Sequence, residues 1–218
     1  KFDTPSAVVV ASDGRIAVAD DNSVQLAYID RVSNGATLAG RDVTDLVSFA
    51  DQIWVIYENR ISNGKGEVLH TNLSGNGQSL GEMLSVGVDR FGRLFVVDDD
   101  VRDLYVFARD GSFVQAMGIN RPQLVRVYDD RAWVLNDDES SFTLIDVTLQ
   151  KSSSPISGLD DIVDFRLDPL GYVYVLHDRG YVLSIYRDDG QVLKRINLRG
   201  GGFPLKQAEA LAVDAAGA

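Results

Sequence analysis

The sequence predicts an all-β protein built as a β-propeller. Three observations carry that expectation. A short phrase recurs along the chain, and the polar residue that ends it falls at Asp20, Glu58, Asp98, Asn136 and His177, in steps of 38, 40, 38 and 41 residues. Each period holds short runs of β-formers bounded by turn residues. No segment sustains an apolar helical period over a dozen residues. A four-stranded unit of about 40 residues cannot bury both its faces alone, and stacking such units in a ring solves that. An ordinary sandwich or barrel with coincidental spacing is the competing architecture.

The phrase is clearest in Ser12-Asp13-Gly14-Arg15-Ile16-Ala17-Val18-Ala19-Asp20, in Arg90-Phe91-Gly92-Arg93-Leu94-Phe95-Val96-Val97-Asp98 and in Pro169-Leu170-Gly171-Tyr172-Val173-Tyr174-Val175-Leu176-His177. Weaker copies run from Ala50 to Glu58 and from Asp129 to Asn136, and a fragment stands at Asp214 to Gly217. Within the third unit the strands are expected at Met83 to Val88, Leu94 to Val97, Leu104 to Phe107 and Phe113 to Met117, with Asp110-Gly111 as a hairpin turn. The fifth repeats this at Ile162 to Leu167, Val173 to Leu176, Val182 to Tyr186 and Val192 to Ile196. Pro5 and Pro122 open first strands, where a missing N–H costs least. The blades are bounded at 2–40, 41–78, 79–118, 119–158 and 159–200, in one domain over 1–218. Residues 203–218 supply one more first strand, Ala208 to Val213, so the expectation is a six-bladed ring with its last blade incomplete. Such a ring has a gap, or a partner that fills it, because an open blade edge invites association.

The unit also resembles an NHL-type repeat. The likeness rests on Pro5-Ser6-Ala7-Val8-Val9-Val10, the turn at Asp13-Gly14, the strand ending Val18-Ala19-Asp20, and the second half Leu104-Tyr105-Val106-Phe107 with Asp110-Gly111. Units one, three and five carry it well, while two and four lack the Gly. No Gly-His…Trp-Asp signature is present, which argues against the WD40 type. The resemblance implies six blades and a family of scaffolds, receptors and a few enzymes, so it does not by itself choose a function.

Composition narrows the partners. The 218 residues hold 32 Asp+Glu against 21 Lys+Arg, a net charge of −11. That excess of acid argues against nucleic acid or an anionic membrane as the main partner. No apolar run approaches a membrane span. There is no cysteine, which excludes disulfides and thiolate metal sites, and two histidines exclude a three-His metal centre. An acidic repeat propeller without Cys suits a bacterial periplasmic or secreted protein, with a cytosolic location as the alternative.

The acid is unevenly placed. Propeller geometry puts the first-to-second and third-to-fourth turns on one face, and the second-to-third loops and inter-blade segments on the other. The latter, counted over 20–23, 58–66, 98–103, 136–141 and 177–180 with the six inter-blade segments, carry 19 acids and seven bases, net −12. The remaining chain is net +1. Asp residues bonding local backbone explain part of this. The rest reads as an acidic mouth for a basic surface on another protein. Asp20, Glu58, Asp98, Asn136 and His177 would ring this mouth, either as a site or as strand-end caps, with Arg121 beside them.

Asp98-Asp99-Asp100 and Asn136-Asp137-Asp138-Glu139 are dense in oxygen, as Ca²⁺ prefers, but neither matches an EF-hand loop. His177, flanked by Asp178 and Arg179, reads as a general base or as a solvated loop residue. His70 is expected to face solvent. Trp54 and Trp133 read as inter-blade packing, and Asn59 to Gly66 as an elongated loop. The functional expectation is a non-catalytic protein-binding or scaffold propeller, with no assigned catalytic residue or cofactor. The alternative is a calcium-dependent hydrolase or lactonase holding its metal with Glu58, Asp98 and Asn136.

Overall fold

A computed structural model describes residues 5–20, 23–28, 37–39, 42–101, 103–119, 121–136, 140–148, 150–199 and 207–214. Five sheets of four antiparallel strands follow one another, each a simple meander. Blade one comprises β1 (Pro5–Val10), β2 (Arg15–Asp20), β3 (Ser23–Tyr28) and β4 (Thr37–Ala39). Blade two comprises β5 (Val43–Phe49), β6 (Gln52–Tyr57), β7 (Arg60–Asn63) and β8 (Val68–Thr71). A small hairpin, β9 (Ser74–Gly75) and β10 (Gln78–Ser79), precedes blade three, which comprises β11 (Met83–Val88), β12 (Leu94–Asp98), β13 (Asp103–Phe107) and β14 (Phe113–Gly118). Blade four holds β15 (Pro122–Tyr128), β16 (Arg131–Asn136), β17 (Phe142–Asp146) and β18 (Lys151–Ser153). Blade five holds β19 (Asp164–Leu167), β20 (Val173–His177), β21 (Val182–Tyr186) and β22 (Val192–Asn197). The expected strands of units three and five are thus present within two residues.

Among the described residues there are five blades, where six were expected. Residues 207–214 carry no ladder pairing and do not build a sixth sheet. Their contacts with blade five are described below.

The apolar core lies between blades rather than within them. The second strands of blades two, three and four are buried on both faces, so both residue parities must be apolar. In β12, Leu94 and Val96 join a cluster with Trp54, Ile56 and Ile61 of blade two. Phe95 and Val97 join the next cluster, with Val125, Ala132 and Val134 of blade four. Ile53, Val55 and Tyr57 of β6 pack on Ala7, Ala17 and Ala19 of blade one. Trp133 and Leu135 of β16 pack on Phe165, Val173 and Val175 of blade five. Both tryptophans therefore serve inter-blade packing, and each also meets a Phe ring of its own blade edge-on, Trp54 with Phe49 at 5.3 Å and Trp133 with Phe142 at 6.2 Å.

One turn is used six times. In blades one, three and five the first turn closes with a Gly N–H bonding the carbonyl three residues back: Gly14 to Ala11, Gly92 to Asp89, Gly171 to Asp168. The third turns of blades two, three and five do the same at Gly66, Gly111 and Gly190. All six glycines have φ between 82° and 88°, a left-handed position that closes a three-residue hairpin loop. Blades two and four lack the first Gly because their first turns hold only two residues, Ala50-Asp51 and Asp129-Asp130. Ala50 and Asp51 both take positive φ there, at 48° and 61°.

These turns correct one expectation. Asn59 to Gly66 is not an elongated mouth loop. Arg60 to Asn63 form β7, and Gly64 to Gly66 belong to a third turn on the opposite face, which takes Lys65 away from the mouth. His70, on β8, is half-buried over Trp54, 6.3 Å between rings, rather than facing solvent. Burial lowers its pKa, against the opposing pull of Asp110. The β9–β10 hairpin was not anticipated, although Asn76-Gly77, both at positive φ, is a strong hairpin signal. It lays Gly75 under the Phe113 ring, and Tyr105 donates its hydroxyl to Gln78 at 2.8 Å.

Candidate functional site

The two faces of the ring differ in how their charges are used. On the turn face, charged and polar groups tie neighbouring blades. Arg15 donates to the Asp51 carbonyl at 2.6 Å, and Ser12 to its carboxylate. Arg90 pairs with Asp129 at 2.6 Å, Arg131 with Asp188, and the Tyr128 hydroxyl donates to the Pro169 carbonyl. Asp89 and Asp168 are buried and each caps its own turn by accepting two backbone N–H groups.

The mouth is different. Where blades two and three meet, Glu58, Glu82, Asp99 and Asp100 are exposed carboxylates. Met83 N–H donates to the Glu58 carbonyl and Asp99 N–H to the Glu82 carbonyl, which holds these short segments together. The Glu82 pKa is raised, first by partial desolvation and then by Asp99, Glu58, Asp100 and Asp98. The charges that raise it are all carboxylates.

The six anticipated site residues are placed as follows. Asp98 is 1% exposed at the end of β12. It accepts the Glu82 N–H at 2.9 Å and the Asp100 N–H at 3.1 Å, so it caps the strand end, and burial raises its pKa. Asp98 and Arg121 line one cleft of about 190 Å³ with Asp99, Val101, Pro122 and Gln123. Glu58 lies exposed in the loop after β6. Asp20 is half-buried at the end of β2. Asn136 ends β16, bonding the Ser141 hydroxyl at 3.0 Å and the Thr143 hydroxyl at 3.2 Å. Glu58 and Asp98 are thus neighbours of one carboxylate cluster, and Asp98 and Arg121 of one cleft, while the hydroxyl partners of Asn136 lie in its own blade. Asp137, Asp138 and Glu139 lie outside the described residues. Among the described residues, no group of three or more His, Asp or Glu is placed to hold a metal ion.

His177 is corrected from a solvated loop residue to a buried one, 5% exposed. Its Nε2 lies 2.8 Å from the Ser184 hydroxyl, which also accepts from Arg195 Nε at 3.3 Å. Burial lowers the His177 pKa, and the Arg195 charge lowers it further. Ser184 has no exposed surface, so this His–Ser pair presents no nucleophile to solvent.

The largest omission of sequence reasoning lies on the ring axis. Asp45 and Asp164 were counted with the mouth segments, but both are buried in innermost strands. A bulge at Val43/Asp45, repeated at Met83/Ser85 and Pro122/Leu124, interrupts the ladder where the first strand begins. Arg126 Nη1 donates to Asp45 at 2.7 Å and to the Ser85 hydroxyl at 2.9 Å, and Nη2 reaches Asp164 at 3.4 Å. Ser85 donates to Asp45 at 2.7 Å, and Arg166 lies 3.3 Å from Asp164. Two arginines and two aspartates from blades two, four and five thus balance in a buried network. Burial works against the Arg126 charge, but Asp45 and Asp164 outweigh it and its pKa is raised. The sequence marks it only faintly: Asp45, Ser85 and Asp164 are polar residues of first strands, and Arg126 and Arg166 stand one repeat apart.

No protein-family model and no curated protein matches the sequence. Solved structures do match. The chain is similar to the WD40 β-propeller domain of Doa1, with TM-score 0.69, 12% identity, and coverage of 97% of this chain and 72% of that one. A protein of unknown function from Bacteroides caccae matches at TM-score 0.68 and 13% identity over 95% and 85% of the two chains. Streptogramin B lyase matches at TM-score 0.65 and 14% identity over 96% and 73%. At such identities the likeness concerns the fold, and with the five meander sheets it establishes the chain as a β-propeller.

Proposed function

We propose that this propeller is a non-catalytic protein-binding module. Its mouth presents the carboxylates between blades two and three to a basic surface of a partner. The observation that supports this reading is the surroundings of Glu82, an exposed acid whose backbone-linked neighbours Glu58, Asp99 and Asp100 are exposed acids that raise its pKa. Holding like charges together costs free energy that a cationic partner relieves. The turn face offers no such excess, because its charges tie blades to one another.

A fluorescent Lys/Arg-rich peptide tests this by anisotropy. Binding is expected at low salt and should weaken steeply as ionic strength rises. Glu82→Gln combined with Asp99→Asn should weaken it at least tenfold, whereas Asp188→Asn on the turn face should not. Salt-independent binding, or equal binding by the two variants, refutes the reading. Calcium separates it from a metal-dependent hydrolase: a calcium site formed by Glu58, Asp98 and Asn136 would raise the melting temperature as calcium is added.

A further inference from the structure

Four of the ring's seams are filled by apolar clusters shared between consecutive blades. Among the described residues, no such cluster joins blade five to blade one. The flanks there are only half-buried: Ile16 and Val18 of β2 on one side, Leu183 and Ile185 of β21 on the other. Residues 207–214 run along this seam, half-buried over most of their length.

They are held by a small number of specific bonds. Arg166 Nε donates to the Leu211 carbonyl at 2.7 Å, and its Nη2 donates to the Val8 carbonyl of β1 at 3.0 Å. One guanidinium therefore grips the segment and blade one together. The Leu211 N–H donates to Asp164 at 2.9 Å. The Ala208 N–H donates to the Gly180 carbonyl at 3.2 Å. Gly180, at φ 78°, also makes room: a Cβ there would stand 1.9 Å from the Ala208 carbonyl oxygen. A segment with few buried apolar contacts and no ladder belongs to the low-stability end of a fold, and opens without global unfolding.

We propose that residues 207–214 are a detachable strap across the seam between blades five and one, with Arg166 as its clasp. Opening the strap uncovers the Asp164–Arg166 end of the axial network and the half-buried flanks of both blades. Asp164 faces Arg126 and Arg166 as well as the strap, so it stays paired when the strap leaves.

Hydrogen exchange of the whole chain, read by mass spectrometry, tests this. Peptides covering 207–214 are expected to exchange by local opening, well before those covering β12 and β16. Arg166→Ala should speed strap exchange about tenfold or more, as expected for losing hydrogen bonds to a charged group, and by more than it speeds β12. Should that variant fail to fold, Gly180→Val expels Ala208 without touching the axial charges and should give the same local acceleration. Strap exchange at the rate of β12 in the unaltered protein overturns the proposal. So does acceleration of β12 as large as that of the strap in Gly180→Val.

Discussion

His177 and His70 show how little a residue's neighbours in sequence say about its surroundings. Asp178 and Arg179 suggest a solvated loop, yet His177 is the last residue of β20 and turns inward to Ser184. Both histidines have pKa values lowered by burial from the ordinary 6.5, so both are neutral in the folded protein at pH 7. The unfolded chain then takes up protons that the folded one refuses. The stability that depends on this is complete above about pH 6.5 and is lost as the pH falls below it. The melting temperature is therefore expected to decline between about pH 7 and pH 5, and His177→Gln to flatten the decline. A decline of unchanged slope in that variant would assign the effect elsewhere. Asp45 and Asp164 teach the same lesson as His177. They looked like loop acids because each stands near the start of a first strand, and only the fold places them on the axis, Asp45 with the help of a bulge.

At the scale of the element, the hairpins were the most legible part of the sequence. Asp-Gly and Phe-Gly turns marked the loops of blades one, three and five, because a left-handed position in a three-residue loop strongly favours Gly. The same rule concealed blades two and four, whose two-residue turns carry left-handed φ on Ala50, Asp51 and Asp129 instead. Ala50 has no side-chain hydrogen bond to offset that conformation. Ala50→Gly is expected to stabilise the protein by about 0.5–1 kcal/mol, the relief of strain exceeding the added freedom of the unfolded chain. Chemical denaturation measures this, and destabilisation would show that the Ala50 methyl makes a compensating contact. The β7 strand was misread for a related reason. Arg60-Ile61-Ser62-Asn63 is short and half polar, and its turn to β6 holds only Glu58-Asn59. Nothing in such a stretch separates strand from loop until the neighbouring ladder is in place.

For the molecule as a whole, the number of blades was the feature the sequence overstated. Ala208 to Val213 has the composition of a first strand, and composition alone does not report whether a ladder forms. The repeat length was legible. The axial network was not, since it joins residues 81 and 38 positions apart, Asp45 with Arg126 and Arg126 with Asp164. Removing one partner of a buried ion pair typically costs about 3–5 kcal/mol, because the other charge stays buried without compensation. Arg126→Ala is expected to lower stability by roughly that amount, and Arg126→Ala with Asp45→Asn by less than the two single changes added together. Additive losses in a denaturant series would mean that the pair does not act as a unit. In an open stack of repeats each unit adds its own increment of stability, and a partial stack is a smaller version of the whole. Here a partial ring is something else. Asp164 keeps Arg166 of its own blade, but a set of blades that includes Asp45 without Arg126 leaves that carboxylate without its ion-pair partner, so the pair rewards only an assembly in which blades two and four are both in place.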